Sequence, residues 1–180
     1  MNKTINIFAT VLILFFAALS VIAQVPARPD PPRLVNDFAG VLGNTQEMED
    51  SLERIAMHTS NQICVVTMSD LGGMNVDMMA QAIGNEWGVG NAKNNNGVII
   101  LIKPNTQDSK GQVFIALGTG LESVISNAIC TSIANDYMIP YFKENDYENG
   151  TWAGINEIYK LAIQKFNEPD FIEKKTLIGP

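Results

Sequence analysis

The chain has 180 residues, with 12 lysines and arginines against 19 aspartates and glutamates, which gives a formal net charge of −7. This length suits one domain with a sizeable core, and the acidic balance argues against a nucleic-acid-binding protein. With His58 as the single histidine and no C-x-x-C pair, the sequence offers neither a histidine-based zinc site nor a thioredoxin-like redox motif.

The N-terminus has the layout of a secretory signal. Lys3 supplies a positive charge ahead of the apolar run at residues 5–22, and Val21 and Ala23 provide the small residues of a cleavage site. We therefore predict a signal peptide over residues 1–23 and a periplasmic or secreted mature protein. The alternative is an uncleaved, membrane-anchored form, since about 18 apolar residues just span a thinned bilayer. Before cleavage this segment contacts the membrane.

The segment after the signal is rich in proline. Residues 24–33 contain four prolines and are predicted to form an extended linker, because proline fits neither a helix interior nor a central strand. The domain itself is predicted over residues 34–166, with residues 167–180 as a weakly patterned tail. Its first helix is predicted over residues 45–58, because Asn44 and Glu47 have the spacing of a capping box and apolar residues follow at helical spacing.

Three apolar runs predict a small sheet. Residues 62–68 and 97–102 are continuous apolar runs, typical of strands that are covered on both faces. Between them, apolar residues from Val76 to Trp87 recur at helical spacing, so the two strands should be joined by a parallel crossover. A short polar turn then leads to residues 112–117, which predicts an antiparallel hairpin.

Two further helices complete the predicted domain. Ile125, Ile129 and Ile133 recur every four residues and mark a helix that should end before Pro140, and a last helix is predicted over residues 152–166. The sum is an α/β fold, a three-layer α/β/α sandwich with a small mixed sheet.

The two cysteines, Cys64 and Cys130, each lie in an apolar stretch. In an oxidising compartment they could pair. The interpretation we favour is two buried, unpaired thiols, because free cysteine is among the most buried residue types.

This topology brings polar residues together at one place. The start of the second predicted strand, preceded by Asn95 and Asn96, lies beside the end of the third, which is followed by a Gly-Thr-Gly turn and Glu122. Glycines in such a turn permit the close approach of a ligand. Glu122 either caps the next helix or binds a hard cation through oxygen. The two asparagines are either turn residues or amide ligands for Ca²⁺.

Six segments, spread over residues 34–165, resemble the motifs of one family. The first reads V-N-D-F-A-G-V-L against the family's V-x-D-x-A-G-x-L, and the fifth reads G-T-G-L-E against G-Y-G-L-E. The order and spacing of all six are similar to the TPM domain family, known from thylakoid-lumen proteins and bacterial envelope proteins. In chain order, the segments are residues 35–42, 62–67, 87–90, 96–102, 118–122 and 139–150.

The resemblance implies an α/β/α sandwich with a polar cleft formed by Asp37, Asn96 and Glu122, with Ca²⁺ as the associated cation. The predicted oxygen ligands of a metal are thus Asp37, Asn95, Asn96 and Glu122, and the ligand cleft includes Gly118, Thr119 and Gly120. Asn95 stands where many relatives have aspartate, and fewer carboxylates imply weaker cation binding.

Two functions follow from the resemblance and from the absence of a recognisable nucleophile and base. The first is a non-catalytic envelope module that binds a divalent cation or engages an envelope or membrane protein complex. The alternative is a metal-dependent, acid-phosphatase-like hydrolase in which a metal-bound water attacks phosphorus.

Overall fold

The computed structural model describes residues 25–165 of the chain. The predicted signal peptide at residues 1–23 and the predicted tail at residues 167–180 lie outside this range. Among the helices described, none has both the length and the apolar character needed to cross a bilayer.

Four strands form one mixed sheet. Their bounds are β1 Val35–Asp37, β2 Gln62–Thr67, β3 Gly97–Lys103 and β4 Gln112–Leu117. Neighbouring strands pair in chain order, and β1, β2 and β3 are parallel, while β4 is antiparallel to β3. The predicted parallel pair and the predicted hairpin are both confirmed.

Helices cover both faces of this sheet. Their bounds are α1 Thr45–Thr59, α2 Val76–Trp87, α3 Asn127–Ser132, a π-helical segment Ile133–Met138, α4 Ile139–Lys143 and α5 Tyr147–Lys165. The start of α1 has the predicted cap, because the Asn44 side-chain oxygen accepts a hydrogen bond from the Glu47 backbone N–H at 3.2 Å.

The core has two parts, one on each face of the sheet. Along β2, Cys64 and Val66 pack with α2, whereas Ile63 and Val65 pack with the helices of the other face. This alternation follows from the two-residue period of a strand, and the unbroken apolar run arises because both faces are covered. The protein is therefore an α/β/α sandwich, as predicted.

The strand β1 was not predicted, because three residues are too few to show a periodicity. Its start is held by a buried carboxylate of α1. Both oxygens of Glu49 accept hydrogen bonds at 2.7 Å, one from the Leu34 N–H and one from the Val35 N–H. A residue distant in sequence thus adds a fourth strand at the edge of the sheet.

Two helix boundaries differ from the predictions. The chain stays helical through Pro140, which lies in the first turn of α4, directly after the π-helical segment. The last helix begins at Tyr147 and includes Gly150, whose hydrogen faces the Phe142 ring so closely that a Cβ would overlap it. Gly150 therefore serves close helix packing and does not break the helix.

The proline-rich segment packs on the domain. Within residues 25–33, Arg28 donates a hydrogen bond to the Trp87 carbonyl at 2.5 Å, and the Trp87 indole N–H donates to the Pro26 carbonyl at 2.8 Å. The segment forms neither helix nor strand. It is nonetheless a strap across the end of α2, and we call residues 25–33 the strap below.

The two thiols are free and lie on opposite faces of the sheet. Burial raises the pKa of the Cys64 thiol to about 12, with a smaller contribution from the Glu49 charge, and burial also raises the pKa of Cys130 to about 11. The sheet itself separates the two sulfurs, so the pairing alternative does not apply to this fold.

Candidate ligand pocket

A pocket of about 610 Å³ lies at the start of β3. The antiparallel register places Gly97 at one edge of it, and the Gly118 N–H donates a hydrogen bond to the Gly97 carbonyl at 2.8 Å. The turn after β4 therefore lies beside the loop before β3, as the sequence predicted. The helix α2 forms the opposite wall.

The Gly-Thr-Gly turn shapes this pocket through backbone packing. A Cβ at Gly118 would overlap the Asn95 carbonyl, and a Cβ at Gly120 would overlap the Asn94 carbonyl. The Gly120 N–H also donates a hydrogen bond to the Asn95 carbonyl at 2.9 Å. The glycines thus permit close approach of the neighbouring loop, whereas the sequence suggested close approach of a ligand. Gly118 and Thr119 line the pocket and Gly120 does not.

Two of the four predicted metal ligands lie together here. Asn95 and Glu122 both line the pocket with exposed side chains, and exposed Thr119 lines it as well. Glu122 is not at a helix start, since α3 begins five residues later with the Ser126 side chain accepting a hydrogen bond from the Ile129 N–H. Its carboxylate is therefore not used as a helix cap.

Asn96 has a structural role and is not available as a ligand. Its side chain is buried, and its oxygen accepts a hydrogen bond from the Asn91 N–H at 2.8 Å. Its amide nitrogen donates to the Ser60 carbonyl at 2.5 Å and to the Asn61 side chain at 3.2 Å. With both ends of the amide engaged inside the protein, Asn96 fixes the loop before β3 and presents no free oxygen to an ion.

Asp37 lies at the opposite end of the sheet. Asp37 pairs with Thr67 of β2, and Thr67 pairs with Ile102 of β3. Ile102 is five residues along β3 from Gly97, which lies at the pocket. At about 3.3 Å per residue this separation is about 16 Å. The Asp37 carboxylate accepts hydrogen bonds from the Val41 and Leu42 N–H groups and from the Thr67 hydroxyl. The expectation that Asp37 shares a site with Glu122 is therefore corrected.

Other polar residues of the pocket were not anticipated from the sequence. Gln81 and Asn85 come from α2, and their spacing of four residues on the exposed face of a helix was the available indication. Asn91 and Asn127 complete the polar lining from the loop before β3 and from the start of α3. Apolar residues of β3 and β4, including Ile99 and Phe114, form the floor.

The charge of the pocket is low and negative. Glu122 is its one ionisable lining residue, and neither lysine nor arginine lines it among the residues that the structure describes. Over residues 25–165, no group of three or more histidine, cysteine, aspartate or glutamate side chains is placed to hold a metal ion. Any cation here would depend on one carboxylate supplemented by amide, hydroxyl and backbone oxygens, which are ligands that suit hard ions such as Ca²⁺.

Comparisons with known proteins show which family has this fold. The chain matches the TPM domain over residues 35–161. It is similar to the solution structure of the N-terminal domain of a protein from P. gingivalis, with 32% identity, a TM-score of 0.63, and coverage of 73% of this chain and 83% of that one.

Two other solution structures share the fold at lower identity. The N-terminal domain of the cg2496 protein from Corynebacterium glutamicum has 18% identity and a TM-score of 0.56, with coverage of 79% of this chain and 86% of that one. The BA42 protein from Bizionia argentinensis has 21% identity and a TM-score of 0.53, with coverage of 68% and 82% respectively. No curated protein matches the chain. The family match and the 32% identical structure together show that the chain belongs to the TPM domain family.

Proposed function

We propose that this TPM domain is a non-catalytic binding module of the cell envelope, and that its pocket binds a divalent cation, with Ca²⁺ as the favoured ion. The observation that carries the proposal is that Glu122, Asn95 and Thr119 all line one open pocket. None of the three is hydrogen-bonded through its side chain to another described residue, so their oxygens are available. Carboxylate, amide and hydroxyl oxygens together are the ligands that Ca²⁺ prefers.

The pocket chemistry favours binding over hydrolysis. A metal-dependent phosphatase has to stabilise the negative charge that develops on the transferring phosphoryl group, usually with lysine, arginine or several metal ions. This pocket has no basic lining residue and one carboxylate, and the second predicted acid, Asp37, lies about 16 Å away. The acid-phosphatase-like alternative therefore lacks the groups that it needs at this site.

Calorimetric titration of the purified protein with Ca²⁺ tests the cation site. Glu122→Gln should abolish measurable binding, because it removes the one charge that attracts the ion. Asn95→Ala should weaken the affinity roughly threefold to tenfold, as expected for one lost oxygen ligand. Asp37→Asn is the informative control, since it should leave the affinity unchanged.

Two results would contradict the proposal. Binding by Glu122→Gln as tight as that of the wild type would place the ion elsewhere. Turnover of p-nitrophenyl phosphate in Ca²⁺, Mg²⁺ or Mn²⁺, lost in Glu122→Gln, would show that the pocket is catalytic.

The envelope location is proposed from the sequence of residues 1–23, and the acidic character of the chain supports a partner with a basic surface. Cell fractionation and N-terminal sequencing test the location. A mature protein that begins at Gln24 in the periplasm or medium is expected, and an uncleaved protein in the membrane fraction would support the anchored form.

A further inference from the structure

The pocket is larger than a cation requires. A Ca²⁺ ion with its ligands at about 2.3–2.6 Å occupies only the end of the pocket near Glu122. The full volume of about 610 Å³ falls within the range of about 300–1,000 Å³ that is typical of sites for small organic ligands. An organic group therefore has room beside the ion or in its absence.

The side chains that line the pocket indicate which chemical class of organic group it suits. Five carboxamides line it: Gln81, Asn85, Asn91, Asn95 and Asn127. A carboxamide both donates and accepts hydrogen bonds, and so does a hydroxyl group. The side chains of Gln81, Asn85 and Asn127 make no hydrogen bond to another described residue, so this capacity is unused.

In the absence of a bound cation, the charge of the pocket disfavours the common anionic ligands. A phosphate or carboxylate would enter a pocket that contains Glu122 and no basic residue, and like charges in such a site cost binding energy. A ligand with many hydroxyls and no net charge avoids that cost and can satisfy the amides.

The floor of the pocket is apolar. Ile99 is buried, and Phe114 and Ala116 are half-buried beside it. A pyranose ring has an apolar face of C–H groups and a rim of hydroxyls, so it complements an apolar floor with amide walls. We infer that the pocket binds an uncharged carbohydrate of about one or two sugar rings. The inference rests on the pocket being the binding site of the proposed function, but it does not need a bound cation.

An NMR titration of the ¹⁵N-labelled protein tests this inference. The probes are maltose, cellobiose and N,N′-diacetylchitobiose, with glucose 6-phosphate as the anionic comparator, and the readout is the side-chain amide resonances of the five carboxamides. In EDTA, at least one neutral disaccharide should shift these resonances, and glucose 6-phosphate should not. Asn85→Ala and Asn127→Ala should each weaken binding roughly threefold to tenfold.

The matched control is Gln107→Ala, which removes an exposed carboxamide from the loop between β3 and β4 and should have no effect. Cosedimentation with insoluble cellulose or chitin would support a polymer as the source of the sugar. Shifts without cosedimentation would support a free saccharide, and both outcomes support the inference.

The titration is run once in EDTA and once in Ca²⁺. A failure of the carbohydrate inference can then be distinguished from a failure of the cation proposal. Sugar binding without Ca²⁺ binding would remove the cation proposal and leave this inference. Ca²⁺ binding with no response to any neutral disaccharide at its highest soluble concentration would overturn this inference alone. Binding of glucose 6-phosphate in EDTA as tight as that of every neutral sugar would also overturn it.

Discussion

Replacing Asp37 by alanine should destabilise the fold without weakening Ca²⁺ binding. The carboxylate accepts hydrogen bonds from the Val41 N–H at 3.1 Å, the Leu42 N–H at 2.9 Å and the Thr67 hydroxyl at 2.5 Å. These contacts close the turn that connects β1 to the segment before α1. The Thr67 hydroxyl is also fully buried, and it accepts a hydrogen bond from the Ala39 N–H.

The size of the effect follows from these three contacts. A hydrogen bond to a charged group contributes about 1.5–3 kcal/mol when it is buried, and the half-buried position of Asp37 favours the lower end for each. We expect Asp37→Ala to lower the free energy of unfolding by about 3–5 kcal/mol, because the donors are left without their acceptor. Asp37→Asn keeps one acceptor oxygen and should cost about half as much.

Urea denaturation followed by tryptophan fluorescence measures this change, because Trp87 is buried and reports loss of the core. Asp50→Ala is the matched control. Its carboxylate is exposed and accepts one hydrogen bond, from Gln46, so it should cost no more than about 0.5 kcal/mol. A loss below about 1 kcal/mol in Asp37→Ala, with Ca²⁺ binding abolished, would refute the reasoning and return Asp37 to the ligand set.

Other changes test separate parts of the structure. Gly120→Ala should destabilise the fold by about 2–3 kcal/mol in urea denaturation and disorder the pocket, since its Cβ would overlap a backbone carbonyl. Arg28→Ala should cost about 1 kcal/mol and increase hydrogen exchange at the end of α2, because it removes the donor to the Trp87 carbonyl. Cys64 and Cys130, with pKa values raised to about 12 and about 11, should react with Ellman's reagent only after unfolding. Since unfolded thiols ionise first, the contribution of the two thiols to the free energy of unfolding should be constant below their ordinary pKa of 9.0 and fall as the pH rises from there towards the folded values.

The sequence was a good guide to elements whose signal is local. The central strands β2 and β3 are long apolar runs, and α1 has a capping box followed by helical periodicity, so both kinds of element were predicted nearly to the residue. The short strand β1 depends on Glu49, a residue of α1 that accepts hydrogen bonds from its backbone. Contacts of this kind leave no periodic trace in the strand.

The site was predicted only where it depends on adjacent strands. Because β4 is antiparallel to β3, the loop containing Asn95 and the turn containing Glu122 necessarily share one end of the sheet. Asp37 ends a strand that is parallel to β3, so its side chain is at the other end. Predicting the position of Asp37 would have required recognising β1 as a strand, and β1 was the strand that the sequence pattern did not reveal.

The distinction between Asn95 and Asn96 shows which polar residues are available to a ligand. The two are neighbours of the same residue type. The Asn96 amide is buried and forms hydrogen bonds with three other residues. The Asn95 side chain, in contrast, is exposed and forms no hydrogen bond with another residue that the structure describes. A buried amide with satisfied hydrogen bonds holds a loop in one conformation, and removing it leaves partners unpaired. An exposed amide in a pocket contributes little to stability and can exchange water for a ligand. The same criterion separates Asp37 from Glu122, so the hydrogen bonds already made inside the protein, more than residue type, decide which predicted ligands remain candidates.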